Sequence, residues 1–390
     1  MTGYEVIVAG LVTVDLIPTF LHSSHVPLAE MVRPGKLNHV GPLQFSTGGA
    51  VSNTGIALIK LGAKTRLMGK VGDDYLGTVA VSILGRYVPE ADRMVRKGEQ
   101  TSYTIVMSPA STDRVFFHYP GCNDTFTAAD VDQAAVAGAK VFHFGYPPLM
   151  KAMYANQGEE LVRLVKKAKE CGLTVSLDLA MPDPHSEALK ADWPLIFRRV
   201  LPYVDVFLPS LEEALLLWDP AAYKDFDSLN PQKREEHIPS LAVKLAGDFL
   251  DLGASIVGIK CGVLGYHVQT KAALSAAKLG LGAPADLNNW AGRKLFCASY
   301  KPETFASATG AGDCSIAGFL MAMLRGCTLE ETVNAACAVG AQNVRKLDAT
   351  AGVEDWEYTL QMMRRPWERL FLPLDEAWTY DPVGKVWVEK

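Results

Sequence analysis

Short, uninterrupted apolar runs alternate along this chain with longer stretches in which apolar residues return every three or four positions. Val6 to Val14 (VIVAGLVTV) is continuous and β-branched, the pattern of a strand buried on both faces of a parallel sheet. Similar runs recur at Lys140 to Phe144, Leu173 to Leu177, Val204 to Leu208 and Ile256 to Ile259, each preceded by helical spacing such as Gly158 to Cys171. Strand alternating with helix predicts a doubly wound parallel sheet.

Two stretches break that rhythm. Pro18 to Gly41 is rich in Pro, Gly and His and leads to Phe45, while Thr101 to Met107 and Arg114 to Tyr119 alternate like hairpin arms across Ser108 to Asp113. Antiparallel strands inserted into a parallel plan predict a small sheet at the edge of the main domain, either a lid over a site or an ordinary surface hairpin. Residues 219–240, polar and Pro-punctuated, and residues 271–295, which include a Gly/Ala/Pro-rich part, are expected to be surface insertions. The tail after Gly352 carries four of the seven tryptophans (Trp356, Trp367, Trp378, Trp387) and is expected to pack back on the domain or on a partner.

The chain has 390 residues, room for two or three domains or one large α/β unit; 49% hydrophobic and 21% charged residues exclude disorder, collagen and coiled coil. A net charge of −5 offers no positive field to nucleic acid or anionic lipid and points to a small-molecule partner. Seven cysteines lie scattered, with no CxxC pair and no metal-ligand spacing against the eight histidines, which predicts reduced thiols and a cytoplasmic location. The first apolar run follows Glu5 and is broken by Asp15, unlike a signal peptide, and Cys314 to Leu324 is far below the ~20 residues a membrane span needs.

Chemistry concentrates in a few places. Thr309-Gly310-Ala311-Gly312-Asp313 feeds an apolar helix from Cys314 to Leu324, with Gly326 a suitable C-cap. A small-residue loop at a helix start exposes backbone N–H groups where a phosphoryl group can be held. A carboxylate there would repel phosphate, but it suits a base that takes a proton from an attacking hydroxyl; a plain N-cap role suits Asp313 equally well. Gly48 and Gly49 let a ligand approach the backbone before a helix running to Leu61, and Asn53 in its first turn offers both donor and acceptor. Asp73 in Val71-Gly72-Asp73-Asp74-Tyr75-Leu76-Gly77 reads as the N-cap of the next helix, and Asp15 ends the first strand, where open parallel sheets bind ligands or simply turn. Neither a strand-linked GxGxxG nor GxxxxGK[ST] is present, which argues against a dinucleotide fold and excludes a Walker loop.

The order Asp15, Gly48-Gly49, Asn53, Gly72-Asp73-Gly77, lid-like hairpin, Gly310-Ala311-Gly312-Asp313 resembles the ribokinase-like (PfkB-type) carbohydrate kinases over about residues 5–352. The resemblance implies a three-layer α/β/α sandwich with a mainly parallel central sheet, and a β-sheet lid formed by about residues 15–47 and 101–121. It implies one kinase domain over residues 1–352, with 353–390 as a Trp-rich extension, and ATP- and Mg²⁺-dependent phosphorylation of a hydroxyl on a sugar, sugar-like molecule or nucleoside. By position, Asp313 would be the base and Gly310, Ala311 and Gly312 the anion hole. Asp15, Gly48, Gly49 and Asn53 would hold substrate. Lys260, Gly262 and Asn343 would meet the nucleotide, and Glu213 would reach magnesium through water. Family lids also pair between subunits, which makes a lid-to-lid homodimer an expectation here.

The chain departs from the family pattern at Ser307, where Asp is usual, at Ala308, at Gly55 in place of Ala, and at Ser210 of Ser210-Leu211-Glu212-Glu213, where Asn is usual. These departures bear on monovalent-cation activation and leave a second reading, a pseudokinase that binds sugar or nucleotide, or serves a structural role, without phosphoryl transfer.

Overall fold

The computed structural model describes residues 3–20, 34–35, 37–108 and 115–390. The sixteen strands among them are β1 (Val6–Gly10), β2 (Thr13–Pro18), β3 (Leu43–Gly48), β4 (Thr65–Met68), β5 (Val71–Gly72), β6 (Val95–Arg96), β7 (Tyr103–Met107), β8 (Val115–Tyr119), β9 (Val141–Gly145), β10 (Thr174–Leu177), β11 (Val206–Phe207), β12 (Ile256–Lys260), β13 (Tyr266–Thr270), β14 (Lys294–Cys297), β15 (Trp378–Asp381) and β16 (Val386–Glu389).

The first apolar run is two strands, not the single one its continuity predicts. β1 lies fully buried in the main sheet and ends at Gly10, whose φ of +130° turns the chain away. A side chain there would strike the Gly145 carbonyl oxygen, 2.4 Å from a Cβ. Val12, between the sheets, has no ladder partner, and Asn123 replaces one: its Oδ1 accepts the Val12 N–H at 3.3 Å and its Nδ2 donates to the Val12 carbonyl at 2.9 Å. β2 then opens the second sheet.

The main sheet runs β15-β16-β14-β13-β12-β11-β10-β9-β1-β4. β4, β1, β9, β10, β11 and β12 are parallel; β13, β14, β16 and β15 continue antiparallel. Helices cover both faces, giving two apolar cores: Phe144, Phe197, Phe207 and Phe249 belong to one, Trp290, Phe319 and Ile316 to the other. This is the expected three-layer α/β/α arrangement.

The two stretches that break the rhythm supply the strands of a small second sheet, β3-β2-β7-β8. β7 and β8 pair antiparallel from Tyr103↔Tyr119 to Met107↔Val115. Most of the expected turn, and most of the Pro18–Gly41 segment, lie outside the described residues.

The helix Ala311–Leu324 is apolar all round and almost wholly buried, as a central helix must be. Small residues let it approach the helix Leu329–Asn343: a Cβ on Gly318 would stand 2.8 Å from the Ala335 carbonyl oxygen. Gly55, on the helix Ala50–Lys60, makes room for Leu67, whose Cδ2 would lie 2.2 Å from a Cβ.

One local expectation is corrected. Asp74, not Asp73, caps the helix Tyr75–Leu84 by accepting the Gly77 N–H at 2.8 Å, while Asp73 accepts the Gly98 N–H at 2.9 Å. Residues 219–240 lie mostly at the surface, as expected, and are helical: Asp219 and Asn230 cap the helices Pro220–Asp227 and Pro231–Asp251, and the longer one buries Leu245 and Phe249 beyond that stretch. Apolar residues beyond the polar stretch pull that helix onto the core.

The tail packs on the domain. β16 pairs with β14, Trp378 lies edge-on to Phe296 at 4.7 Å, and Trp367 stacks on Tyr300 at 4.3 Å. Among the described residues no helix is long and apolar enough to cross a membrane, and all seven cysteines are free thiols.

Candidate active site

The loop before the Ala311–Leu324 helix is shaped by its glycines. Gly310 has φ +71°, and a Cβ there would stand 2.2 Å from the Ala349 carbonyl oxygen. Asn343 Nδ2 donates to the Thr309 carbonyl at 2.8 Å, and the Ser307 hydroxyl accepts the Thr309 N–H at 3.0 Å, so the loop is held from behind. The Ala311 N–H donates back to the Ala308 carbonyl at 3.2 Å. Gly312 and Asp313 occupy first-turn positions whose N–H groups have no acceptor within a helix.

Asp313 is 4% exposed and held by three donors. Its Oδ2 accepts Tyr146 Oη–H at 2.7 Å and Asn53 Nδ2–H at 2.9 Å; its Oδ1 accepts the Thr54 hydroxyl at 3.3 Å. Burial raises its pKa, against the Lys260 ammonium and the Asn53 and Tyr146 hydrogen bonds. Burial, and the Asp313 charge beside it, keep Tyr146 protonated and therefore a donor. The Asn53 Oδ1 is buried without a partner, an acceptor left over for a ligand hydroxyl.

Lys260, at the end of β12, forms an ion pair with Asp178 at 2.7 Å, and a Cβ at Gly312 would stand 3.6 Å from its Nζ. Burial alone would favour neutral Lys260, but the carboxylates of Asp178, Glu213 and Asp313 outweigh it and raise its pKa. Burial pushes Asp178 up as well, opposed chiefly by Lys260, and its Oδ2 has no partner. Ser210 bridges to Lys260, which brings in the capping box in which Glu213 Oε2 accepts the Ser210 N–H at 2.9 Å.

These groups open on one cavity of about 550 Å³. Gly310, Ala311, Gly312 and Asp313 line it together with Glu213, Lys260 and Gly262, and an apolar wall of Val263, Phe305, Ala336, Ala341, Val344 and Leu370 continues it. Asn343 is fully buried behind the loop rather than in this wall. Asn53 meets the site through Asp313. Asp15, Gly48 and Gly49 are not in the cavity wall. They lie where the small sheet joins the Ala50–Lys60 helix, with Asp15 over Gly48, where a Cβ would come within 2.7 Å of its Oδ2. Burial lifts Asp15 to about 7, helped by the Asp348 charge and opposed by a hydrogen bond from Thr104.

Sequence reasoning missed Thr54, Tyr146 and Asp178. Asp178 follows β10 and Tyr146 follows β9, both at carboxyl ends of parallel strands, so the rule that singled out Asp15 would also have found them. Tyr146 carries a further mark, a left-handed φ of +70° on a bulky residue.

A nucleoside triphosphate fits these residues. First-turn amides and Lys260 would meet its phosphates, and the apolar wall would face its base. Among the described residues no group of three or more His, Cys, Asp or Glu could hold a resident metal ion. Glu213, which lines the cavity, would hold a phosphate-bound Mg²⁺ through water, since Mg²⁺ keeps most of its hydration shell.

A mostly parallel sheet between helix layers with a small second sheet is a ribokinase-like fold. Ribokinase from Arabidopsis thaliana, solved with ribose and ATP, matches with a TM-score of 0.66 at 18% identity, over 93% of this chain and 100% of that one. A putative ribokinase II from E. coli, solved with ATP and Mg²⁺, matches with a TM-score of 0.62 at 18% identity, over 93% and 99%. Fructokinase from Solanum tuberosum is 31% identical over 224 residues, 54% of this chain and 63% of that protein. Fructokinase-2 from Solanum habrochaites is 31% identical over 231 residues, 54% and 65%. The chain thus spans just under two thirds of the length of these curated relatives. The model of the pfkB family of carbohydrate kinases matches residues 5–356, and the chain belongs to that family, whose members are phosphotransferases acting on an alcohol group.

Proposed function

We propose that this protein transfers the γ-phosphoryl group of ATP to a hydroxyl of a sugar or sugar-like molecule. The observation that carries the reading is the buried Asp313 carboxylate, fixed by Asn53, Thr54 and Tyr146 beside helix-start amides without acceptors.

The substrate hydroxyl attacks the γ-phosphorus in line, its proton passes to Asp313, and the bond to the bridging oxygen breaks so that ADP leaves with the electron pair. Asp313 Oδ1, which carries only the longer bond from Thr54, is the free acceptor. The amides of Gly312 and Asp313, with Lys260, meet charge growing on the transferring oxygens; one such donor is worth about 100- to 1000-fold in kcat. Mg²⁺ would supply neutralisation of phosphate charge. The unpartnered Asn53 Oδ1, with Asp15 and the backbone at Gly48 and Gly49, forms the acceptor-rich side that a polyhydroxylated substrate needs. The fructokinase relatives and the ribokinase solved with ribose support a sugar as that substrate. The lid strands carry exposed Phe45, Phe117 and Tyr119 and would close over the sugar or pair with a second copy.

A pseudokinase is disfavoured because Asp313, its donor Tyr146, Lys260 and the glycine loop line one cavity, with Asn53 and Thr54 holding Asp313 from behind. The test is substrate-dependent ADP release across a panel of sugars, sugar acids and nucleosides, with Asp313→Asn as control. Turnover with one sugar, falling by about 100- to 10,000-fold in the variant, is expected. ADP release that no acceptor stimulates, or that survives in the variant, refutes the reading.

A further inference from the structure

The family match ends at residue 356, yet the cavity wall includes Leu370. The segment that delivers it is fastened rather than loosely laid on. Lys301 N–H donates to the Glu368 carbonyl at 2.8 Å and Leu370 N–H to the Ser299 carbonyl at 2.9 Å, so residues 368–370 form an antiparallel bridge with 299–301. Trp367 stacks on Tyr300 and donates its Nε1–H to the Lys301 carbonyl at 2.8 Å. The Arg369 guanidinium lies 3.5 Å over the Tyr300 ring, with further bonds to Ala298 and Asn334. Tyr300 and Ser299, the partners of this segment, line the same cavity.

Leu370 thereby joins two apolar side chains that solvent reaches freely, Val263 at 62% and Phe305 at 69% exposed. Large apolar side chains that line one cavity with Lys260, Glu213 and Asp313 are arranged for a ligand with a flat apolar part and an anionic part. We infer that the chain beyond the family-matched residues completes the nucleotide-base subsite, with Leu370 as an affinity-determining residue for the triphosphate donor. This rests on the kinase reading above and adds which part of the chain holds the base.

The experiment is calorimetric titration of the full chain with Mg·ATP and, separately, with inorganic tripolyphosphate, a probe that has the phosphates but no base. In Leu370→Ala, ATP affinity falls about tenfold while tripolyphosphate affinity and the KM for the sugar stay unchanged. Phe371→Ala, at an 83% exposed position next in the chain, changes neither affinity. Leu370→Gln serves if the alanine chain does not fold, with the same expected loss. ATP affinity within twofold of the unaltered chain overturns the inference and leaves the kinase reading intact, as does an equal loss for both probes. An unaltered chain that binds neither probe overturns both.

Discussion

The Tyr146 hydroxyl donates to Asp313 Oδ2 at 2.7 Å from a residue held at φ +70°. A left-handed tyrosine costs of order 1–3 kcal/mol and persists only where its surroundings over-determine it. Here the hydrogen bond to the buried carboxylate offsets that cost, and it must also overcome the extended preference that Pro147 imposes on the residue before it.

Tyr146→Phe removes a donor to the charged form of Asp313, so it favours the protonated acid. The acid limb of the kcat profile, set by a pKa already raised by burial, is expected to move upward. A kcat profile recorded between pH 5 and 9 reads this directly; an unmoved limb means that Tyr146 does not set the base.

The Asp178–Lys260 pair is buried, so removing one partner strands the other. Asp178→Asn is expected to lower stability by about 3 kcal/mol in denaturant titration. The double variant Asp178→Leu with Lys260→Met is expected to recover most of that loss but no turnover. Recovery of both would make the pair purely structural.

Gly310→Ala forces a methyl group toward the Ala349 carbonyl at a backbone conformation that only glycine adopts cheaply. The loop must shift, and its first-turn amides with it. A lower Tm, a stability loss of about 1–3 kcal/mol and a raised KM for ATP are expected, read from thermal melts and initial rates.

Asp15 sits near 7 when folded against an ordinary value of 3.8, so the native state binds its proton more tightly than the unfolded chain. Its favourable contribution is complete below pH 3.8 and is lost as pH rises through 7. Asp15→Asn is therefore expected to raise Tm relative to the unaltered chain, by a margin that grows from pH 4 to pH 7 and then levels. The same variant is expected to raise the KM for the sugar. Melting curves at several pH values check the first effect, and a margin independent of pH contradicts it.

Local signals were readable in the sequence and distant ones were not. Gly310 to Asp313 and Gly48 to Asn53 announce themselves because a loop feeding a helix is written in adjacent residues. Tyr146 reaches Asp313 across 167 positions, and no local pattern encodes that distance. The Val6–Val14 run misled because hydrophobicity reports burial, and both the main sheet and the base of the small one are buried there; only Gly10, by its backbone, marks the change of sheet. The surface character of residues 219–240 was legible in their polarity, but the helix Pro231–Asp251 that they begin was not, because the apolar residues anchoring it come after the polar stretch.

β16 hydrogen-bonds to β14, and Trp378 of β15 covers Phe296. During synthesis the ladder edge of β14 and that ring must wait bare until β15 and β16 have left the ribosome, an interval in which an unpaired edge invites pairing with another chain. A frameshift or premature stop before Trp378 would make that exposure permanent, turning a truncated product into a seed for aggregation even though every residue around Asp313 had been made.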